Sequence, residues 1–286
     1  MALAVDIGGT KMAAGLVSAD GEVLASATAA SAGAAAGDGE ELFQALVDLV
    51  AGVRGDGDIA VCGVGCGGPM TTGGETVSPL NIPAWRGFPL RPRLAAAIGL
   101  ATFVDNDAKA LALGEGWRGA AARARDFIAM VVSTGVGGGV VVDGHLLDGA
   151  SGNAGHIGHV NVEPGGRRCS CGARGCLEAE ASGTAIAAIT GRPAAEAGPD
   201  VVERTGRLVG RAVASVANLC DLRLAVVAGS VALGFGAPFF AAAQAELDAQ
   251  ARLSFSQGSV IRPAGLGPAG PLVGAAAVGW RGLGRL

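Results

Sequence analysis

The chain has 286 residues, half of them hydrophobic, with 21 Lys and Arg against 25 Asp and Glu for a net charge of −4. That is enough apolar material for one large domain or two lobes with substantial cores, and it excludes a disordered chain. With aromatics at 4%, no tyrosine and an acidic balance, the chain lacks the basic face and stacking rings that nucleic-acid binding needs. The opening stretch MALAVDIGGTK is too short and too soon charged for a signal peptide. Gly, Pro or charge breaks every apolar run before ~18 residues, so no transmembrane helix and no membrane partner are predicted. Of the six cysteines, Cys62, Cys66 and Cys220 fall in apolar patterns and are expected as small core residues. No disulfide framework is left, which predicts a reducing, cytoplasmic compartment.

In chain order, the pattern first predicts strands at Leu3–Ile7, Met12–Val17 and Glu22–Ala27, joined by a glycine turn at Gly8–Lys11 and an Asp20-Gly21 hairpin signal. An Ala- and Gly-rich connector follows at 29–39, then a helix from near Asp38 with Leu42, Leu46, Leu49, Val50 and Val53 on one face. Ile59–Val64 reads as a buried strand running into the Gly65–Pro69 loop. A helix around Pro92–Ile98, a strand at Ala101–Val104 ending in Asp105-Asn106-Asp107, and a helix over Ala108–Trp117 come next. Near Asp126 the opening pattern recurs: strand Phe127–Val132, glycine turn Ser133–Gly139, strand Val140–Val142, then Asp143-Gly144. Two related α/β lobes, each headed by a β-hairpin, are therefore expected. The remainder predicts a helix from Ser182, an amphipathic helix with Leu208, Ala212, Val216 and Leu219 on one face, and a buried strand Leu224–Val227 running into Ala228-Gly229-Ser230. A helix near Pro238–Ala251, a strand at Val260–Pro263 and a last helix from Leu272 complete the pattern. Glycine supplies 50 residues, far above the usual ~7%. They sit inside patterned segments, which points to tight turns and close backbone approach.

Three groups of residues carry chemistry. Cys169, Cys171 and Cys176, with His159 ten residues ahead of the first, supply one imidazole and three thiolates. That is a complete tetrahedral zinc set with no open position, hence a structural Zn²⁺ site; the alternative is a set of inert buried cysteines. Asp6-Ile7-Gly8-Gly9-Thr10-Lys11 places a carboxylate at a strand end before a turn whose backbone N–H groups can face phosphate oxygens. Thr10 adds a hydroxyl, Lys11 a cation, and Asp6 can hold Mg²⁺ directly or through water. The matching turn in the second lobe carries Thr134, Gly135 and Gly137, and Gly229-Ser230 marks a third glycine turn where a nucleotide base or ribose would lie. No Walker-type or dinucleotide fingerprint occurs. Asn106-Asp107, where a strand ends and a helix begins, offers either a general base for a hydroxyl proton or an ordinary helix cap.

Taken together, DIGGTK at Asp6–Lys11, DNDAKALALGE at Asp105–Glu115, STGVGGG at Ser133–Gly139 and the stretch from Gly155 to Glu178 resemble the ROK sugar kinases of the actin-like ATPase superfamily. The resemblance implies two actin-like, ribonuclease H-like lobes with mixed sheets flanked by helices, and an interlobe cleft that takes ATP and Mg²⁺. It implies a small N-terminal lobe at 1–107, with the C-terminal helix 272–286 as its candidate completion, and a larger lobe at 108–271 with the zinc site and an oligomerisation surface. A hexose 6-hydroxyl would be the acceptor, Asp107 the base, and Asn81, Asn106, His159 and Glu178 the sugar contacts, with Gly68 in the adjoining loop. His159, Cys169, Cys171 and Cys176 match the family's zinc ligands one by one, and a homodimer or homotetramer is implied.

Two positions depart from the family pattern. Many members carry Glu where this chain has His156; the His-Ile-Gly-His form is similar to that of bacterial N-acylmannosamine kinases. An imidazole both donates and accepts where a carboxylate only accepts, so His156 opens the choice between glucose and N-acetylmannosamine. Lys109 stands where the family often has Asn and is expected on a solvated helix face. Two other readings are a sugar-responsive regulator of the same family, which would carry a DNA-binding segment ahead of the first glycine turn, and a catalytically silent sugar-binding protein.

Overall fold

Strand and helix periodicities resolve into ten strands and nine α-helices among the described residues, which in this computed structural model are 1–31, 39–55 and 57–286. The predicted helix start near Asp38 and most of the 29–39 connector lie outside them. The strands are β1 (Ala2–Ile7), β2 (Lys11–Val17), β3 (Val23–Ala30), β4 (Val61–Cys66), β5 (Thr102–Asn106), β6 (Phe127–Val132), β7 (Val136–Val142), β8 (His145–Leu146), β9 (Leu224–Ala228) and β10 (Val260–Pro263). The helices are α1 (Gly39–Arg54), α2 (Leu90–Ile98), α3 (Asp107–Arg118), α4 (Leu177–Ala181), α5 (Gly183–Thr190), α6 (Pro199–Cys220), α7 (Ser230–Phe235), α8 (Ala237–Gln250) and α9 (Gly270–Gly282). They divide into two units. One comprises Met1–Ala122, Asp148–Ala154 and Leu266–Leu286, the other Arg123–Leu147 and Gly155–Gly265.

The first unit is built on a five-stranded sheet of order β3-β2-β1-β4-β5. β1 is apolar on both faces and almost wholly buried, as a central strand should be. It pairs antiparallel with β2 and parallel with β4, in a register that sets Asp6 opposite Gly65. α1 turns Leu42, Phe43, Leu46, Val50 and Val53 inward at helical spacing onto a core with Leu3, Val5, Val64 and Trp85. On the other face α9 lies so close to β4 that a Cβ on Gly63 would collide with the Ala275 carbonyl. α9 likewise crosses α3 where Gly274 meets Gly114, a Cβ on the latter falling 2.9 Å from the Gly274 Cα. The glycine excess therefore works as the sequence suggested, through backbone approach within packed elements.

The second unit repeats the arrangement. Its sheet order, β10-β9-β6-β7-β8, read from the far edge is β8-β7-β6-β9-β10, the counterpart of the first sheet strand for strand. Again the central strand pairs antiparallel with its hairpin partner and parallel with the next. The Asp143-Gly144 turn has both residues at positive φ, 51° and 77°, the geometry a two-residue hairpin turn prefers. α6 and α8 cover this sheet with Leu208, Val209, Ala212, Val213, Phe239 and Leu247. Of the face predicted for α6, Leu208 and Ala212 are buried but Leu219, in the last turn, is 84% exposed. A second difference lies in the glycine run: β7 begins at Val136, so the turn is only Ser133–Gly135, and Gly137 pairs with Val131 inside the ladder. The physical reason is crowding above the strand, where a Cβ on Gly138 would meet the Ile157 Cγ2 at 3.0 Å. No described helix is long and apolar enough to cross a membrane.

Candidate active site

In the first unit the predicted residues converge at the carboxyl ends of β1, β4 and β5, the side of an α/β sheet where ligands characteristically bind. The turn after β1 closes with the Gly8 N–H donating to the Lys11 carbonyl at 3.0 Å. The buried Ser31 latches it from outside: its Oγ donates to the Gly8 carbonyl at 2.8 Å and its N–H to the Thr10 carbonyl at 3.0 Å. Thr10 and Lys11 are left exposed. Asn81 packs against this turn, its Cβ only 2.5 Å from where a Gly9 Cβ would be. A Cβ on Gly65 would lie 3.6 Å from both the Asp6 Oδ1 and the Asp107 Cα, and one on Gly68 would lie 3.3 Å from the Asn106 Nδ2. Asp6, Gly8, Gly9, Asn81, Gly68, Asn106 and Asp107 thus belong to one neighbourhood.

Burial, reinforced by the Asp107 carboxylate, pushes the Asp6 carboxyl up from 3.8 to about 6, against the pull of Lys11. Two carboxylates and a lysine are therefore held together although the acids repel each other. The cap of α3 is made by Asn106, whose side chain accepts from the Ala108 N–H at 3.0 Å with φ −60° and ψ 140°. Asp107 is the first helical residue and exposed, its Oδ1 also accepting from the Ala108 N–H at 2.8 Å. Its carboxylate sits at the positive end of the helix dipole. Lys109 is not on a solvated face; it is 2% exposed and ion-paired to Asp105 and Asp148. A lysine in a first helical turn looks like surface by pattern, and its two acidic partners are what make burial tolerable.

In the second unit, the turn after β6 is also tied down. The Gly183 N–H donates to the Ser133 carbonyl at 2.7 Å, the Thr184 Oγ1 to the Thr134 carbonyl at 2.9 Å, and Ser133 and Ser230 share a hydroxyl hydrogen bond of 3.0 Å. Gly229, at φ 101°, lies so close to β6 that a Cβ would strike the Val132 carbonyl. A cavity of about 570 Å³ opens here, lined among others by Ser133, Thr134, Thr184, Arg192 and Ser230. Thr134 and the Gly229-Ser230 turn were expected here from the sequence; Gly183 and Thr184 were not. The signal was there: Ser182-Gly183-Thr184 has the same hydroxyl-glycine composition as the turn it meets.

His159, Cys169, Cys171 and Cys176 bring one donor atom each to within 4.8 Å of one another. The Cys169 Sγ is 3.6 Å from the His159 Nδ1, and the Cys171 Sγ is 3.7 Å from the Cys176 Sγ. A tetrahedral ion with Zn–S bonds near 2.3 Å sets its sulfurs about 3.8 Å apart, whereas a disulfide needs about 2.05 Å. The donor set and its spacing fit a closed zinc site. The loop is braced by Glu180, 2% exposed, which accepts from the Arg167 N–H at 2.6 Å and from Arg204 at 2.6 Å. Glu178, two residues past the last cysteine, accepts from the Val136 N–H at 3.1 Å and so reaches the strand after the Ser133 turn. The rings of His156 and His159 stack with centroids 6.1 Å apart and 17° between planes, and both residues are exposed.

The model of the ROK family matches residues 2–280. The chain belongs to the ROK family. Among its relatives, a glucokinase of Thermotoga maritima is 40% identical over 186 residues, 64% of this chain and 58% of that one, so the match spans less than two thirds of the relative. An N-acetylmannosamine kinase of Escherichia fergusonii is 36% identical over 250 residues, 82% of this chain and 84% of that one. The crystal structure of a ROK family glucokinase from Streptomyces griseus in complex with glucose and AMPPNP superposes with a TM-score of 0.82 at 29% identity, covering 98% of this chain and 99% of the other.

Proposed function

We propose that this ROK family protein is an ATP-dependent sugar kinase that phosphorylates the 6-hydroxyl of a hexose or N-acetylhexosamine, glucose or N-acetylmannosamine. The observation that carries the reading is Asp107, exposed at the positive end of α3 beside Asp6 and the Gly8–Lys11 turn. In this reading the first unit supplies the base and part of the sugar site. Asp107 takes the proton from the acceptor hydroxyl as its oxygen bonds to the γ-phosphorus and ADP leaves, while Gly68, Asn81 and Asn106 orient the sugar. The Gly8–Lys11 turn offers N–H groups, a hydroxyl and an ammonium to phosphate oxygens, and Asp6 would hold Mg²⁺, which neutralises charge on the phosphates. The second unit would supply the nucleotide site from Thr134, Gly135, Gly137 and Gly229; of these Thr134 lines the 570 Å³ cavity, together with Ser133, Thr184 and Ser230, which supports a ligand there. His156, His159 and Glu178 would complete sugar recognition. His159 would offer Nδ1 to zinc and its other ring nitrogen to the sugar, so the metal orders the recognition loop and takes no part in the transfer. Kinases of both substrate types among the relatives support this range of acceptors.

A coupled assay of ADP release against glucose, mannose, N-acetylglucosamine and N-acetylmannosamine tests the proposal. Sugar-dependent turnover is expected, and the preferred sugar decides what His156 selects. Sugar binding without turnover at any of the four would replace the kinase reading with that of a silent binder.

A further inference from the structure

The first unit holds a second charge cluster that the proposed transfer does not touch. Lys109 lies in the first turn of α3 with 2% of its side chain exposed, where an ammonium without partners is strongly disfavoured. Its Nζ meets the Asp105 Oδ1 at 2.9 Å, the Asp148 Oδ1 at 2.9 Å and the Gly152 carbonyl at 3.2 Å. Three donors find three acceptors. Arg281 of α9 takes the other two carboxylate oxygens, the Asp148 Oδ2 at 2.7 Å and the Asp105 Oδ2 at 3.4 Å. Two cations and two anions therefore alternate around a square that joins β5, α3, α9 and the crossover segment Asp148–Ala154.

What gives this square a consequence is the second use of one atom. The Asp105 Oδ1 that holds Lys109 also accepts the Asn106 N–H at 2.8 Å, and the Asn106 side chain in turn caps the helix at Ala108. Lys109 thus reaches back one turn and grips the strand end from which its own helix starts. On its far side the square pins the crossover at both ends of the stretch from Asp148 to Gly152, and Asn153 continues the attachment by donating to the Met70 carbonyl at 3.3 Å, two residues past Gly68.

We propose that Lys109 is a positioning residue for the Asp105–Asp107 turn, acting through Asp105 and anchored on its other side by Asp148 and the crossover. The proposal rests on the reading of Asp107 as the base. Transfer that depends on placing a hydroxyl against a carboxylate is sensitive to small displacements of that carboxylate. A buried ion square is a rigid way to hold it, because each charge is needed to keep the others neutralised.

The test uses full-length Lys109→Met, Asp148→Asn and the double variant. Asp148 is half exposed, so its variant folds even where Lys109→Met does not, and it then carries both measurements alone. Turnover is expected to fall about 10- to 100-fold for Lys109→Met and about 3- to 10-fold for Asp148→Asn, with KM for sugar and ATP within about twofold of the parent. The double variant should be no slower than Lys109→Met, the signature of two residues in one network. An unchanged kcat, a rise in KM at constant kcat, or additive losses would overturn the proposal. Hydrogen exchange without substrate is the second arm: the amides of Asn106 and Ala108 and those of 149–154 should exchange faster in each variant, and unchanged protection there overturns the proposal. A parent protein that turns over no sugar, with the exchange change present, removes the kinase reading while the positioning of the turn stands.

Discussion

The two units share a strand order and differ in what stands at the strand ends. In the first, β1 ends in Asp6-Ile7, β5 leads into Asp107, and Lys11 opens β2, so the site is built from full charges. In the second, β6 ends in Val131-Val132, and the groups that follow are hydroxyls and backbone: Ser133, Thr134, Thr184 and Ser230. One topology thus provides two similar platforms, and the side chains alone decide which would run proton transfer and which would hold a nucleotide. The first platform bears a cost the second avoids, since Asp6 and Asp107 are close enough to repel. The second carries the His159, Cys169, Cys171 and Cys176 donor set instead, with Glu178 joining the cysteine loop to the strand after its turn.

The sharpest way to break this contrast is to remove the base proposed for the first platform. Asp107→Asn keeps the shape and the helix start, yet kcat should fall by about 10²- to 10⁴-fold while sugar affinity by calorimetry stays within about threefold. Near-normal turnover would take Asp107 out of the role of base. The second platform should answer to its metal. Purified protein should contain zinc at about one ion per chain, and chelation or Cys171→Ser should cost several kcal/mol of stability, seen as a lower Tm together with weaker sugar binding. A zinc-free protein of unchanged Tm would show that the four donor atoms stand together without a metal.

Much of this was legible because the signals are local. Hydrophobic runs flanked by Asp-Gly turns gave both hairpins, and the cysteine spacing pointed to the cluster that the fold assembles. What was missed depends on partners distant in the chain. Lys109 reads as surface by helical pattern, and only with Asp148, 39 positions later, joining Asp105 at its ammonium does its burial become intelligible. Gly137 to Gly139 read as turn because glycine is the common turn residue, but they lie in the β6–β7 ladder, and at Gly138 a Cβ would press on Ile157 and Gly155 above the strand. Ser31 is a single hydroxyl with no motif around it, and its latching of the Gly8–Lys11 turn is visible only once the chain is folded.

Asp6 offers a smaller test of the same contrast. Its carboxyl is raised from 3.8 to about 6 by burial and then by Asp107, so between those values the folded protein binds a proton that the unfolded chain has released. Stability from this group is complete below about pH 4, declines as pH rises through 6, and is lost above. Asp6→Asn should therefore make the metal-free protein more stable at pH 7, by on the order of 2 kcal/mol after allowance for screening. The gain should vanish near pH 4, with activity falling at every pH. Denaturant midpoints of both proteins at pH 4 and pH 7 measure it. Equal midpoints at both pH values would mean that Asp6 carries no such strain and that the charged character of the first platform comes without cost.

The smallest expected effect lies on the second platform. Ser230 and Ser133 share one hydroxyl hydrogen bond at the mouth of the cavity, and such a bond between partly solvated neutral groups contributes about 1 kcal/mol net. Ser230→Ala should accordingly raise KM for ATP by about fivefold and leave kcat and the KM for sugar alone, because the loss falls on binding and equally on ground and transition states. The same substitution cannot mimic Asp107→Asn, which acts on kcat. If Ser230→Ala lowered kcat and left the nucleotide KM unchanged, the division of labour between a charged platform for chemistry and a hydroxyl platform for nucleotide would be wrong. The cavity beside Ser133 and Thr184 would then need a different occupant.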